Sequence, residues 1–163
     1  MKQILQQYAA YTIWANQRIF ECILGLSEEQ AGQEITSSFP SLKKTVLHMW
    51  DAESIWWQRL KLSERISRPS ENFTGNMAEL VKSLGRQSAE WLEWVENATE
   101  PQLQHVFAYQ NTRKEQFKQP VYEMLLHLFN HGTYHRGQLV TLLRHLGVEK
   151  IPETDFIVFC RKR

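Results

Sequence analysis

Three of the six histidines in this 163-residue chain are spaced four apart, at His127, His131 and His135. On an α-helix that spacing stacks side chains on one face, where two imidazoles can aim nitrogens at one metal ion. Zinc takes nitrogen ligands at about 2.0–2.1 Å, and a catalytic zinc site keeps one position open for water or substrate. The segment offers two such pairs, and a helical wheel separates them. With Val121 at zero and about 100° per residue, Val121, Met124, Leu125, Leu128, Leu139, Leu142, Leu143 and Leu146 fall within roughly 60° of one direction. His135 lies inside that apolar arc, His131 at its edge and His127 further round. An inward imidazole with no partner costs about 1–3 kcal/mol, and a shared metal would serve both inward rings. Two ligands seldom hold a metal tightly. His48, beside Ala52 and Ile55 on the flank of another apolar stripe, is the candidate third ligand. His105 lies in a short extended segment and His145 on a polar helix face, so both fit less well.

Glu53 stands in the middle of the stripe Leu42, Val46, Met49, Trp56 and Leu60. Charged residues are almost never fully buried without a partner. Its carboxylate is therefore satisfied by an arginine or a tyrosine, or it accepts a hydrogen bond from a ligand imidazole, or it moves protons beside the metal.

Four helical segments must position these groups. The first runs from about Ile4 to Leu24 and stops at Gly25. The second follows Phe39-Pro40-Ser41, with Ser41 as N-cap. The third runs from about Met77 to Glu96 with Leu80, Val81, Leu84, Trp91, Leu92 and Val95 as its apolar positions. The fourth starts near Pro120, which suits a first helical turn, and ends at Leu146 before Gly147. Between the third and fourth, Gln104 to Tyr109 and Lys114 to Lys118 flank Asn111-Thr112 and predict a short β-hairpin. The tail from Asp155 to Phe159 reads as another extended piece. The expectation is an all-α, single-domain four-helix bundle over residues 1–163, with a crossover connection and a short hairpin before the last helix.

Composition narrows the function. Hydrophobic residues make up 42% and charged residues 23% of the chain, as in an ordinary globular protein. The net charge of +1 and the absence of a basic stripe, apart from Arg161-Lys162-Arg163, speak against a nucleic-acid partner. No apolar run is long enough to span a bilayer. The first residues turn polar before a signal-peptide core could form, so a cytoplasmic location is expected. Cys22 and Cys160 form no metal or disulfide pattern. Six tryptophans, five tyrosines and eight phenylalanines imply a ring-rich core, an aromatic pocket or a subunit interface.

The segment His127-Leu128-Phe129-Asn130-His131-Gly132-Thr133-Tyr134-His135-Arg136-Gly137-Gln138 resembles the signature of the DinB/YfiT-like family. So do His48-Met49-Trp50-Asp51-Ala52-Glu53-Ser54-Ile55-Trp56, the start Tyr11 to Arg18 and the end Thr154 to Ile157. The resemblance covers nearly the whole chain. It implies a bundle of crossed connectivity, often a homodimer, and a three-histidine metal site at His48, His131 and His135, with His127 as a neighbour. It also implies thiol-transferase activity as in some relatives, which use bacillithiol, mycothiol or glutathione.

The leading expectation is therefore a metal-dependent S-transferase acting on a low-molecular-weight thiol and a small electrophile. Zinc or nickel fits such a nitrogen site, as do iron and manganese. Glu53 and Tyr134 are the candidates for orientation or proton transfer. The alternatives are a metal-dependent hydrolase, or a non-enzymatic bundle whose metal is structural or absent. A structural zinc site usually has four protein ligands and is closed.

Overall fold

The structure is a computed structural model and describes residues 1–111 and 113–161. Thr112, in the expected turn, and Lys162 and Arg163, in the basic tail, lie outside them. The long helices are α1 (Lys2–Leu24), α3 (Leu42–Leu60), α4 (Met77–Asn97) and α6 (Val121–His145). Short helices α2 (Glu28–Gly32) and α5 (Glu100–Gln104) stand in the connections, and α7 (Phe156–Arg161) closes the described chain.

Local chemistry explains the helix starts. The Ser41 hydroxyl accepts from the Lys44 amide at 3.1 Å and caps α3. Asn76 and Glu79 form a reciprocal capping box on α4, as Ser27 and Gln30 do on α2 and Thr99 and Gln102 on α5. The stop signals differ. Gly147 takes the left-handed φ of +82° that glycine permits at low cost, whereas Gly25 keeps a right-handed φ of −77°. Pro120 is the N-cap of α6, one residue before its first turn.

The predicted hairpin is present. Strand β1 (Val106–Gln110) pairs antiparallel with β2 (Gln116–Pro120), Val106 opposite Pro120. The expected extended tail is not: Phe156–Arg161 is helical, with the Val158 amide bonded to the Asp155 carbonyl at 3.0 Å. Aromatic packing against α1 sets this outcome. Phe156 stacks on Tyr8 with centroids 4.8 Å apart and meets Tyr11 edge-on, and Tyr11 donates to the Thr154 carbonyl at 2.8 Å.

The bundle has crossed connectivity. Helices α1 and α3 each pack on both α4 and α6, so α1 faces α3 across a diagonal. The buried apolar residues form two clusters, one at each end. Ile19, Ile23, Leu42, Val46, Leu80, Leu84, Leu139 and Leu142 belong to one; Leu5, Trp91, Val95, Leu103, Leu125 and Phe129 belong to the other. Following the chain through them, α1 and α6 run one way and α3 and α4 the other. The connection from α3 to α4 must therefore return along the bundle. It does so through a 3₁₀ turn at Pro69–Glu71, where the Ser70 amide and hydroxyl donate to Asp51 at 2.9 and 2.6 Å.

Between the two apolar clusters lies a polar layer. Every long helix supplies it from its middle: Thr12 and Asn16 from α1, Glu53 from α3, Ser88 from α4, His135 and Arg136 from α6, all buried. The carboxylate inside the α3 stripe belongs to this layer.

Candidate metal centre

Helix α6 presents His131 and His135 one turn apart, and α3 brings His48 against them from the opposite direction. The Nε2 atom of His131 lies 3.1 Å from that of His48 and 3.0 Å from that of His135. The ligand atoms of the three residues lie within 4.8 Å of one another. Nitrogens at about 2.05 Å from a tetrahedral ion would be about 3.3 Å apart, so the two His131 distances are within a few tenths of an ångström of a metal-bound spacing.

Three imidazoles cannot satisfy one another in this arrangement. The His131 Nε2 has either one proton or one lone pair, yet faces two like nitrogens. A cation at the centre would satisfy all three lone pairs at once. Protonation is suppressed in the same way. Burial, and then the neighbouring His135, bring His48 down to about 4, and burial with three histidine neighbours brings His131 down to about 3. Burial also lowers His135. The rings are thus uncharged at neutral pH, the state a metal ligand requires.

Gln138, one turn after His135, fixes the tautomer. Its Oε1 accepts from the His135 Nδ1 at 2.7 Å, which leaves the Nε2 lone pair free for a metal. Gln138→Leu is expected to weaken zinc binding about 10- to 100-fold, the usual effect of removing such a support. Competition with a chromophoric chelator measures this directly.

Phe39, just ahead of α3, covers the site. Its ring stacks on His48 with centroids 4.0 Å apart and meets His135 edge-on at 5.6 Å. The sequence names Phe39 only as the start of the segment before α3 and Gln138 only as the end of the histidine motif, and it assigns neither a place at the site. The i,i+3 offset of Gln138 from His135 was a usable signal; Phe39 lies in a loop and gave none.

The other candidates sit elsewhere. His127 is exposed, packs edge-on to Trp56 at 5.6 Å and stays outside the three-nitrogen cluster. His105 and His145 are exposed, at the start of the hairpin and the end of α6. Tyr134 is 62% exposed, with its ring edge-on to His135 at 5.1 Å, and lines a cavity of about 270 Å³ with Ile35, Thr36 and Gln138. The Glu53 carboxylate is directed into the polar layer, where the Ser88 hydroxyl lies 3.0 and 2.9 Å from its two oxygens. Burial raises its pKa to about 8, against the opposing pull of Ser88 and of the Arg136 charge. Arg136 donates to Asn16 at 3.1 Å and Thr133 at 2.7 Å and forms no ion pair with Glu53.

A groove of about 480 Å³ opens beside His48, walled by Phe39, Ala52, Ile55 and Trp56. Of the three clustered histidines, His48 lines this groove.

Known proteins share this arrangement of helices. A DinB-like protein from Bacillus cereus superposes with a TM-score of 0.72 at 19% identity, covering 91% of this chain and 94% of that one. A DinB-like protein from Bacillus subtilis gives a TM-score of 0.68 at 16% identity, covering 91% and 98%. In sequence, the chain is 31% identical over 156 residues to protein DinB of Bacillus subtilis strain 168, covering 90% of this chain and 87% of that protein. Residues 1–161 also match the DinB family as a whole. A family match over nearly the full length, together with this identity, places the chain in the DinB family.

Proposed function

We propose that the chain is a metal-dependent enzyme that transfers a low-molecular-weight thiol to a small electrophile. The observation that carries this reading is the convergence of three uncharged imidazole nitrogens, one of them on a groove-lining residue, with three donors rather than four among the described residues. A divalent transition ion held there would supply the Lewis acidity that deprotonates a coordinated thiol at neutral pH.

The chain's own residues supply the rest. Gln138 holds the His135 ring in its ligand tautomer. Phe39 shields one side of the His48 ring from water. Ile55 and Trp56 give the groove an apolar wall for the electrophile. Both cysteines have contacts away from the cluster, Cys22 with the Arg18 carbonyl and Cys160 with the Gln7 amide, which fits a site that draws its thiol from solution.

The test is thiol consumption. Protein purified without a nickel column and loaded with zinc, nickel, iron or manganese is mixed with monochlorobimane and a panel of small thiols. The expected result is conjugation above the uncatalysed rate with at least one thiol, falling about 100-fold or more in His48→Ala. Equal rates for the two proteins across the panel would overturn the transferase reading.

A further inference from the structure

We propose that the groove beside His48 recognises the acid end of an elongated substrate, a carboxylate that pairs with Arg59. The assignment rests on the thiol-transfer reading only for the chemistry at the near end. Recognition of the acid stands on the groove itself.

The groove follows one stripe of α3. His48, Ala52, Ile55, Trp56 and Arg59 recur at intervals of four, three, one and three residues, so they share a face. Arg59 stands eleven residues beyond His48, about 16 Å along the helix axis at about 1.5 Å per residue. Its side chain can lean back toward the N-terminus, so a ligand that reaches both would span on the order of 10–16 Å.

The guanidinium is held but not satisfied. It lies over the Trp56 ring at 4.5 Å and the Tyr109 ring at 5.1 Å. Its Nε is buried without an acceptor, and no carboxylate lies within 4.0 Å of it among the described residues. The groove's other cations are already paired: Lys44 with Glu34 at 2.9 Å and Arg68 with Glu71 at 2.8 Å. Asp51, the acid that lines this groove, is bound by the amide and hydroxyl of Ser70. An arginine fork matches a planar carboxylate with two parallel hydrogen bonds. A single guanidinium with no carboxylate partner among the described residues, resting against two rings that touch each other edge-on, suits a monoanion on an apolar chain.

Two titrations test this. In the first, cobalt-loaded protein is titrated with ω-mercapto carboxylates of graded chain length and with the matching ω-mercapto alcohols, read by the thiolate-to-cobalt absorption band. In the second, metal-free protein is titrated with octanoate and with octanol, read by tryptophan fluorescence. The acid is expected to bind about tenfold or more tightly than the alcohol in both, as for a charge-assisted hydrogen bond. In the thiol series the preference should peak at an intermediate to long chain. Arg59→Gln should erase it, and Arg59→Lys should retain part of it. Equal binding of acid and alcohol by the wild-type protein, or an undiminished preference in Arg59→Gln, would overturn the proposal. A preference for octanoate with no thiolate band would sink thiol ligation and keep the acid site, so the two failures are distinguishable.

Discussion

A His131→Ala variant is expected to retain no metal after zinc loading and desalting, while the wild-type protein retains about one ion per chain. His131 is the decisive position because its Nε2 faces both other ligand nitrogens, at 3.1 and 3.0 Å. Without it, His48 and His135 remain as two ligands from different helices. The same loss should appear as stability. A ligand that binds only the folded state at about 1,000 times its dissociation constant adds about 4 kcal/mol. For a chain of this size that raises the melting temperature by roughly 8–16 °C. The wild-type protein should show such a shift with zinc, and His131→Ala should melt at one temperature with or without it. Elemental analysis and calorimetry provide the two readings. A variant that still carries one ion per chain would mean that the metal is held elsewhere.

Glu53→Gln should become progressively more stable than the wild-type protein as pH rises from 6 to 8. The carboxyl has an ordinary pKa of 4.5 and a value of about 8 in the fold, with burial as the main cause. Between those values the folded chain holds a proton that the unfolded chain has released. Stability therefore falls with rising pH across that window and levels off above it. The contribution is complete below about 4.5 and lost by about 8. Glutamine mimics the protonated acid and does not titrate, so the difference between the two proteins isolates this group. Two units of pH inside the window correspond to about 3 kcal/mol, or roughly 6–12 °C in melting temperature. The opposite trend, a variant losing ground as pH rises, would show that the carboxylate is ionised and held by the Arg136 charge.

Much of this was legible in the residues. The four long helices follow from apolar periodicity, because packing demands a continuous stripe wherever a helix meets its neighbours. The wheel placed His135 inside, His131 at the edge and His127 further out, and their burial follows that order. Helices α2 and α5 went unread although each carries a capping box, at Ser27–Gln30 and Thr99–Gln102. One turn of helix is too short for periodicity to register. The tail failed for a different reason: five residues rich in β-formers read as extended, while contacts with Tyr8 and Tyr11 decide the outcome. Such tertiary contacts have no local signature. The same limit hid Phe39 and left the part played by Glu53 open, since Ser88 lies 35 residues away on another helix.

The buried polar layer has a consequence for alignment. Helices packed through leucines alone can slide along one another by a turn, about 5.4 Å, and still bury comparable apolar area. Here such a slip would drive the Glu53 carboxyl or the Arg136 charge into one of the apolar clusters, where a polar or charged group without a partner is expensive. The layer thus acts as a notch that fixes the axial position of α3 against α6. Metal coordination tolerates errors of only about 0.2 Å in ligand distance, and the nitrogen of His48 must meet those of His131 and His135 from a different helix. Residues that weaken the core as a solvent for charge are what keep that meeting point in place.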